Sequence, residues 1–255
     1  MISDFSGGVA VVTGGASGLG QATATSLAKA GLPVVIVDMN REAGEAHAGV
    51  IGGSFVKTDV RDPKSVAEAM QRAGEIGTLR VVVNCAGIAA AAKTVSRGQP
   101  HDPDLFERVI GVNLLGSFNV ATQGAAMMVD TDPVDEDGAR GVIVNTASVA
   151  AFDGQIGQLA YAASKGGIVG MTLPMARDLA DKGIRVCTIA PGLFLTPLLQ
   201  ELPEEVQRSL GAQVPFPSRL GAAEEYARMV CSILDNPMLN GEVIRLDGAI
   251  RMAPR

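Results

Sequence analysis

The segment Tyr161-Ala162-Ala163-Ser164-Lys165 sets a phenol and an ammonium four residues apart, a spacing that brings both onto one face of a helix. A phenol with its usual pKa of about 10 is a poor base near neutrality, and an adjacent ammonium stabilises the phenolate. Each unit of lowering corresponds to about 1.4 kcal/mol, so a shift of about two or three units asks only a few kcal/mol of Lys165 and its surroundings. Ser148 stands thirteen residues before Tyr161, just past an apolar run, where its hydroxyl can donate to a substrate oxygen. Together the three groups suit proton transfer at an alcohol or carbonyl oxygen. A Tyr-x-x-x-Lys pair by itself is commonplace and usually structural, so the weight rests on the company it keeps.

That company begins with Thr13-Gly14-Gly15-Ala16-Ser17-Gly18-Leu19-Gly20, directly after a β-branched run and leading into a helical pattern. Glycine is needed where backbone turns tightly and approaches a ligand closely, and a helix N-terminus beyond it favours a pyrophosphate. Asp38, 18 residues after Gly20, ends the next apolar run, where a carboxylate can accept hydrogen bonds from the adenosine ribose hydroxyls of a dinucleotide. A solvated turn aspartate is the plainer alternative. Asp59 and Val60 lie at a further predicted strand end and could meet the adenine, although an aspartate there is as often a helix cap. Asn113 sits within an otherwise apolar helical stretch, where a polar group needs partners; a satisfied core amide is an equal alternative.

The elements that must position these groups alternate. Short β-branched runs at residues 9–13, 34–37, 81–83, 142–145, 185–189 and 243–246 predict buried strands. Stretches such as 21–30 and 105–128 carry apolar residues at helical spacing. Asp62-Pro63 marks a helix start, with a strand ending near Asp59 just before it. The expectation is one α/β domain over residues 1–255, a Rossmann-like doubly wound parallel sheet. Residues 89–103 and 130–140 predict surface loops. Residues 193–217 are apolar and proline-punctuated, and predict a small substrate lid built on Leu193, Phe194, Leu195, Leu198, Leu199 and Phe216.

At 255 residues and 47% apolar content, the chain can bury a sizeable core within one domain. Lys and Arg number 21 against 27 Asp and Glu, with no basic run, which argues against direct nucleic-acid binding. Cys85, Cys187 and Cys231 show no CxxC spacing, so no metal site is expected and a reducing cytosol fits. The glycine motif begins at Thr13, and no apolar stretch reaches membrane-spanning length, so the expectation is a cytoplasmic protein without a targeting segment or membrane contact.

Taken in order, Thr-Gly-x-x-x-Gly-x-Gly, Asn84-Cys85-Ala86-Gly87, Asn113, Ser148, Tyr161/Lys165 and Pro191-Gly192 resemble the short-chain dehydrogenase/reductase family over essentially the whole chain. Segments 145–152, 166–174, 214–221 and 240–252 resemble the branch of that family acting on 3-hydroxyacyl-CoA thioesters. The resemblance implies Tyr161 as general acid/base, Ser148 as donor to the substrate oxygen, and Lys165 as ribose holder that also tunes Tyr161. Asn113 would support a proton-relay water. It implies NAD contacts from Gly14, Ser17, Gly18, Leu19, Gly20, Asp38, Asp59, Val60, Cys85, Ala86, Gly87, Tyr161, Lys165, Pro191, Phe194 and Thr196. The implied substrate is an acyl-CoA or another apolar secondary alcohol/ketone, including 2-methyl-3-hydroxybutyryl-CoA or a hydroxysteroid, and the implied assembly is a homotetramer. Cys85 departs from the family's usual second asparagine before Ala-Gly.

Three other readings compete. A serine hydrolase lacks its nucleophile elbow, and neither His47 nor His101 has triad context. A non-catalytic subunit or scaffold would leave the Ser-Tyr-Lys set unused. An NADPH-linked 3-ketoacyl reductase differs mainly at Asp38.

Overall fold

In the computed structural model, residues 5, 7–200 and 202–254 are described. β1 (Gly8–Thr13) leads into α1 (Gly18–Lys29), β2 (Val34–Asp38), α2 (Arg41–Ile51), β3 (Ser54–Lys57), α3 (Pro63–Ile76) and β4 (Thr78–Asn84). A small hairpin, β5 (Val95–Ser96) and β6 (Gln99–Pro100), precedes α4 (Pro103–Ile110) and α5 (Gly116–Met128). β7 (Gly141–Thr146), α6 (Leu159–Asp178) and β8 (Ile184–Pro191) follow. The chain then forms α7 (Pro197–Gln200), α8 (Glu204–Gly211), α9 (Ala223–Asp235) and β9 (Val243–Leu246).

Seven strands form one sheet in the order β3-β2-β1-β4-β7-β8-β9, parallel at every pairing. The uninterrupted Val/Ile runs explain why: a strand covered on both faces needs apolar side chains on both. Ala10, Val12, Ile36, Val81, Val83 and Val144 enter one core, closed by Leu27 of α1 and by Tyr226, Val230 and Ile233 of α9. Their neighbours Val9, Val11, Val35, Val37, Val82 and Ile143 enter the other, closed by Val66 and Met70 of α3 and by Val120 and Ala121 of α5. Each large aliphatic side chain so buried contributes about 1.5–3 kcal/mol. Strand order reverses between β1 and β4, which opens a crevice beyond the carboxyl ends of the strands.

Each predicted strand is present, and α3 starts where expected, with Asp62 accepting from the Lys64 N–H at 2.9 Å ahead of Pro63. Three segments differ. The helical stretch 105–128 is interrupted by a π-helical turn, Gly111–Leu115, which widens the helix around Asn113. The loop 89–103 contains the β5–β6 hairpin. Residues 193–217 hold the short helices α7 and α8, while Glu201 and the Leu198 side chain lie outside the described part. Among the described residues no helix is long and apolar enough to cross a membrane.

Candidate active site

A cleft of about 870 Å³ occupies the crevice at the strand-order reversal. Its floor is backbone packed on backbone. Gly14, at φ +64°, leaves β1 so close to the next strand that a Cβ would lie 2.8 Å from the Ala86 nitrogen, and a Cβ on Gly20 would strike the Gly14 carbonyl. The Thr13 hydroxyl accepts from both the Cys85 and Ala86 N–H groups at 3.1 Å, tying the ends of β1 and β4 together. α1 starts here with Ser17 at its N-cap, no side chain closing that end and no acidic residue in the first turn. Its first N–H groups are therefore open to an anion.

Asp38 lines the same end of the cleft. Its Oδ2 accepts from the Ala16 N–H at 3.2 Å and its Oδ1 from the Asn40 N–H at 2.9 Å. Arg41 is engaged elsewhere, in an exposed pair with Glu45 at 2.8 Å. Asp59 also lines the cleft, but Arg61 grips both of its carboxylate oxygens, at 2.6–3.1 Å, and holds the carboxyl below its ordinary range. Val60 lies beside it on the cleft wall.

At the opposite end, Ser148 ends the connection from β7 and caps the turn Val149–Ala151 by accepting from the Ala150 N–H at 3.1 Å. Its hydroxyl faces Tyr161 and favours the phenolate form. Tyr161 and Lys165 share one face of α6, and the Lys165 Nζ lies 5.8 Å from the centre of the tyrosine ring. That ammonium donates to the Thr146 carbonyl oxygen at 2.7 Å. Burial brings the Lys165 pKa down to about 8. The expected depression of Tyr161 is corrected here: burial raises its pKa, and Ser148 opposes the rise without reversing it.

Asn113 is fully buried, directly behind Gly87 of the cleft wall. Its Oδ1 accepts from the Ile88 N–H at 2.8 Å, while its Nδ2 donates to the Ile88 carbonyl at 3.0 Å and to Ser164 Oγ at 3.0 Å. It thereby clamps the irregular segment following Gly87 against α6, one residue before Lys165.

The remaining predicted residues line the cleft: Gly14, Ser17, Gly18, Leu19, Gly20, Cys85, Ala86, Gly87, Pro191, Phe194 and Thr196. Leu193 and Leu199 join them from the lid segment. Phe216 does not: it is 83% exposed and lines neither this cleft nor the smaller cavity beneath the segment, so its place in an apolar cover is corrected. Several participants escape sequence reading. Thr146 lines the cleft, carries the carbonyl under Lys165, and shares a 2.6 Å hydroxyl bond with the buried Tyr226 of α9. Arg61 and Arg108 border the cleft without any spacing that marks them. Among the described residues no group of three His, Cys, Asp or Glu could hold a metal.

Residues 8–207 match the short chain dehydrogenase family. The chain is 59% identical over 251 residues to the 3-hydroxyacyl-CoA dehydrogenase type-2 of Homo sapiens, covering 96% of each chain. The crystal structure of 3-hydroxyacyl-CoA dehydrogenase type-2 from Mycobacterium avium superposes with a TM-score of 0.95 at 44% identity, over 100% of both chains. A 3-ketoacyl-(acyl-carrier-protein) reductase from Brucella melitensis, complexed with NADH, gives a TM-score of 0.84 at 26% identity over 97% of this chain and 100% of that one.

Proposed function

The chain belongs to the short-chain dehydrogenase family and is an oxidoreductase, and from that premise we propose that it transfers hydride between NAD and a 3-hydroxyacyl-CoA. The observation that carries this reading is one cleft with two unlike ends. A glycine-built anion cradle and Asp38 lie at one, and Ser148, Tyr161 and Lys165 at the other. The cradle fits a dinucleotide: the uncapped N-terminus of α1 suits a pyrophosphate, and side chains on Gly14 or Gly20 would strike neighbouring main chain and force apart the tight turn that shapes it. Asp38 favours the free ribose hydroxyl of NAD over the 2′-phosphate of NADP, because a like charge near 4 Å costs about 4 kcal/mol at an effective dielectric of about 20. Arg41, committed to Glu45, does little to offset it.

In the oxidative direction Ser148 donates to the substrate oxygen and Tyr161 takes the hydroxyl proton as that oxygen becomes a carbonyl. The bond broken at carbon is C–H, and NAD, when bound, supplies the acceptor for the departing hydride. Lys165 would hold the nicotinamide ribose and lend positive charge to the phenolate. Its ammonium is anchored on the Thr146 carbonyl. Asn113 acts through Ile88 and Ser164, supporting the wall along which a proton-relay water would sit. Leu193, Phe194 and Leu199 give an apolar boundary suited to an aliphatic acyl chain.

The working assembly in this reading is a homotetramer. Leu115, Phe118, Leu159 and Leu173 are large apolar side chains left exposed on and beside α5 and α6, in keeping with a self-complementary surface. A monomeric mass by light scattering at micromolar concentration would overturn that part. The function itself is tested by following NADH formation over a panel of straight and branched 3-hydroxyacyl-CoAs and hydroxysteroids. Turnover is expected with short 3-hydroxyacyl-CoAs and NAD. No turnover with any thioester in the panel would contradict the substrate class.

A further inference from the structure

His47 is a buried titratable residue, 6% exposed, that lies outside the cleft wall. Both of its ring nitrogens are in use. Nδ1 lies 2.9 Å from the Gly15 carbonyl oxygen, and Nε2 lies 3.0 Å from the Thr25 hydroxyl of α1. A carbonyl oxygen only accepts, so Nδ1 carries a proton and donates. The amide that continues from that carbonyl ends at the Ala16 N–H, which donates to Asp38 Oδ2 at 3.2 Å. One planar peptide in the middle of the glycine-rich loop is therefore held at both ends, by an imidazole on its oxygen and a carboxylate on its N–H. Donation into the carbonyl polarises the amide and strengthens its own donation onward.

The connection closes on itself. Asp38 Oδ1 accepts from the Asn40 N–H at 2.9 Å, and the Asn40 side chain caps α2 by accepting from the Ala43 N–H at 3.2 Å. α2 is the helix that carries His47. Loop, carboxylate, cap and imidazole thus form one circuit around the ribose end of the cleft. We propose that His47 is a positioning residue for the cofactor: through the Gly15–Ala16 peptide it orients both the loop and the Asp38 carboxylate, and so sets NAD affinity without touching the reacting atoms. The inference rests on the NAD reading above.

The test is NADH titration by fluorescence, with steady-state kinetics in parallel, on the full-length enzyme and its His47→Leu, His47→Asn and His47→Gln variants. His47→Leu fills the same space but leaves the Gly15 carbonyl without its donor. It is expected to weaken NADH and raise the KM for NAD by about tenfold, with kcat and the KM for the acyl-CoA within about twofold of the parent. His47→Asn keeps a donor near the Nδ1 position and should restore affinity to within about threefold. His47→Gln displaces the donor and should not. Three results overturn the inference: His47→Leu binding NADH within about twofold of the parent, kcat falling while NADH binding holds, or Asn and Gln variants of equal affinity. If His47→Leu does not fold, the Asn and Gln pair decides alone. A parent enzyme that binds no NADH overturns the cofactor reading itself, a result distinct from any of these.

Discussion

The two ends of the cleft solve opposite problems. The glycine end presents main chain: unclosed N–H groups of α1, a loop packed on Ala86, and a carboxylate held by two backbone donors. The tyrosine end presents side chains whose proton affinities have been moved by burial, Tyr161 upward and Lys165 down to about 8. Binding through backbone demands shape and little else, so it tolerates water. Proton chemistry depends on those affinities: burial brings Lys165 closer to neutrality and takes Tyr161 further from it, with Ser148 opposing the second shift. In the proposed reading, selection of cofactor and catalysis of transfer are separable functions of one cleft.

Tyr161→Phe should make the contrast starkest, lowering kcat by about 10²–10⁴-fold with NADH affinity nearly unchanged, since ring and helix remain. Equal losses in kcat and NADH binding would blur the boundary. Asp38→Ala acts at the other end and should relax the preference for NAD over NADP by up to about a thousandfold, read as the ratio of the two kcat/KM values. An unchanged ratio would remove Asp38 from cofactor choice. Lys165→Ala belongs to both ends, and a kcat loss of about a hundredfold should accompany about tenfold weaker NADH.

The pH dependence follows from the same two shifts. Tyr161 accepts a proton only as phenolate, and burial raises its pKa, so oxidation should accelerate as pH rises through the alkaline range while reduction is favoured toward acid. Lys165 loses its charge above about pH 8, so the KM for NAD should begin to climb there, approaching tenfold per pH unit at most. A KM for NAD that stays flat up to pH 10 would mean that the Lys165 charge does not hold the cofactor. The smallest effect is expected from Arg41→Ala: the side chain is exposed and paired with Glu45, so the NAD to NADP ratio should move by less than about twofold.

The glycine end was more legible in sequence than the tyrosine end, for a physical reason. Gly14, Gly20 and Asp38 have positions dictated by a strand, a turn and the next strand, all close along the chain. Five of the six apolar runs announced strands because burial on both faces leaves an unbroken β-branched signature, and the sixth, β9, is a half-buried edge. β3, the other edge, has only Phe55 and Val56 between Ser54 and Lys57, too short an apolar run to mark it, so only its approximate end near Asp59 could be anticipated. The π-helical turn at Asn113 and the link from Thr146 to Tyr226 depend on tertiary packing that local periodicity does not encode. His47 offered no triad context, and its bond to Gly15 spans 32 residues. Tyr161 was found by spacing, yet the direction of its pKa was misjudged, because spacing reports a neighbour and not the burial around it.

The division of the cleft is tested most directly by crossing its two ends in a double-mutant cycle of Asp38→Ala and Tyr161→Phe, measured on 3-hydroxybutyryl-CoA with NAD and with NADP. If cofactor choice and proton transfer are separate, Tyr161→Phe lowers kcat by the same factor in both backgrounds, and Asp38→Ala relaxes the cofactor ratio equally whichever residue stands at 161. A Tyr161→Phe enzyme with near-parental turnover, or a coupling between the two substitutions of more than about tenfold, would contradict the account.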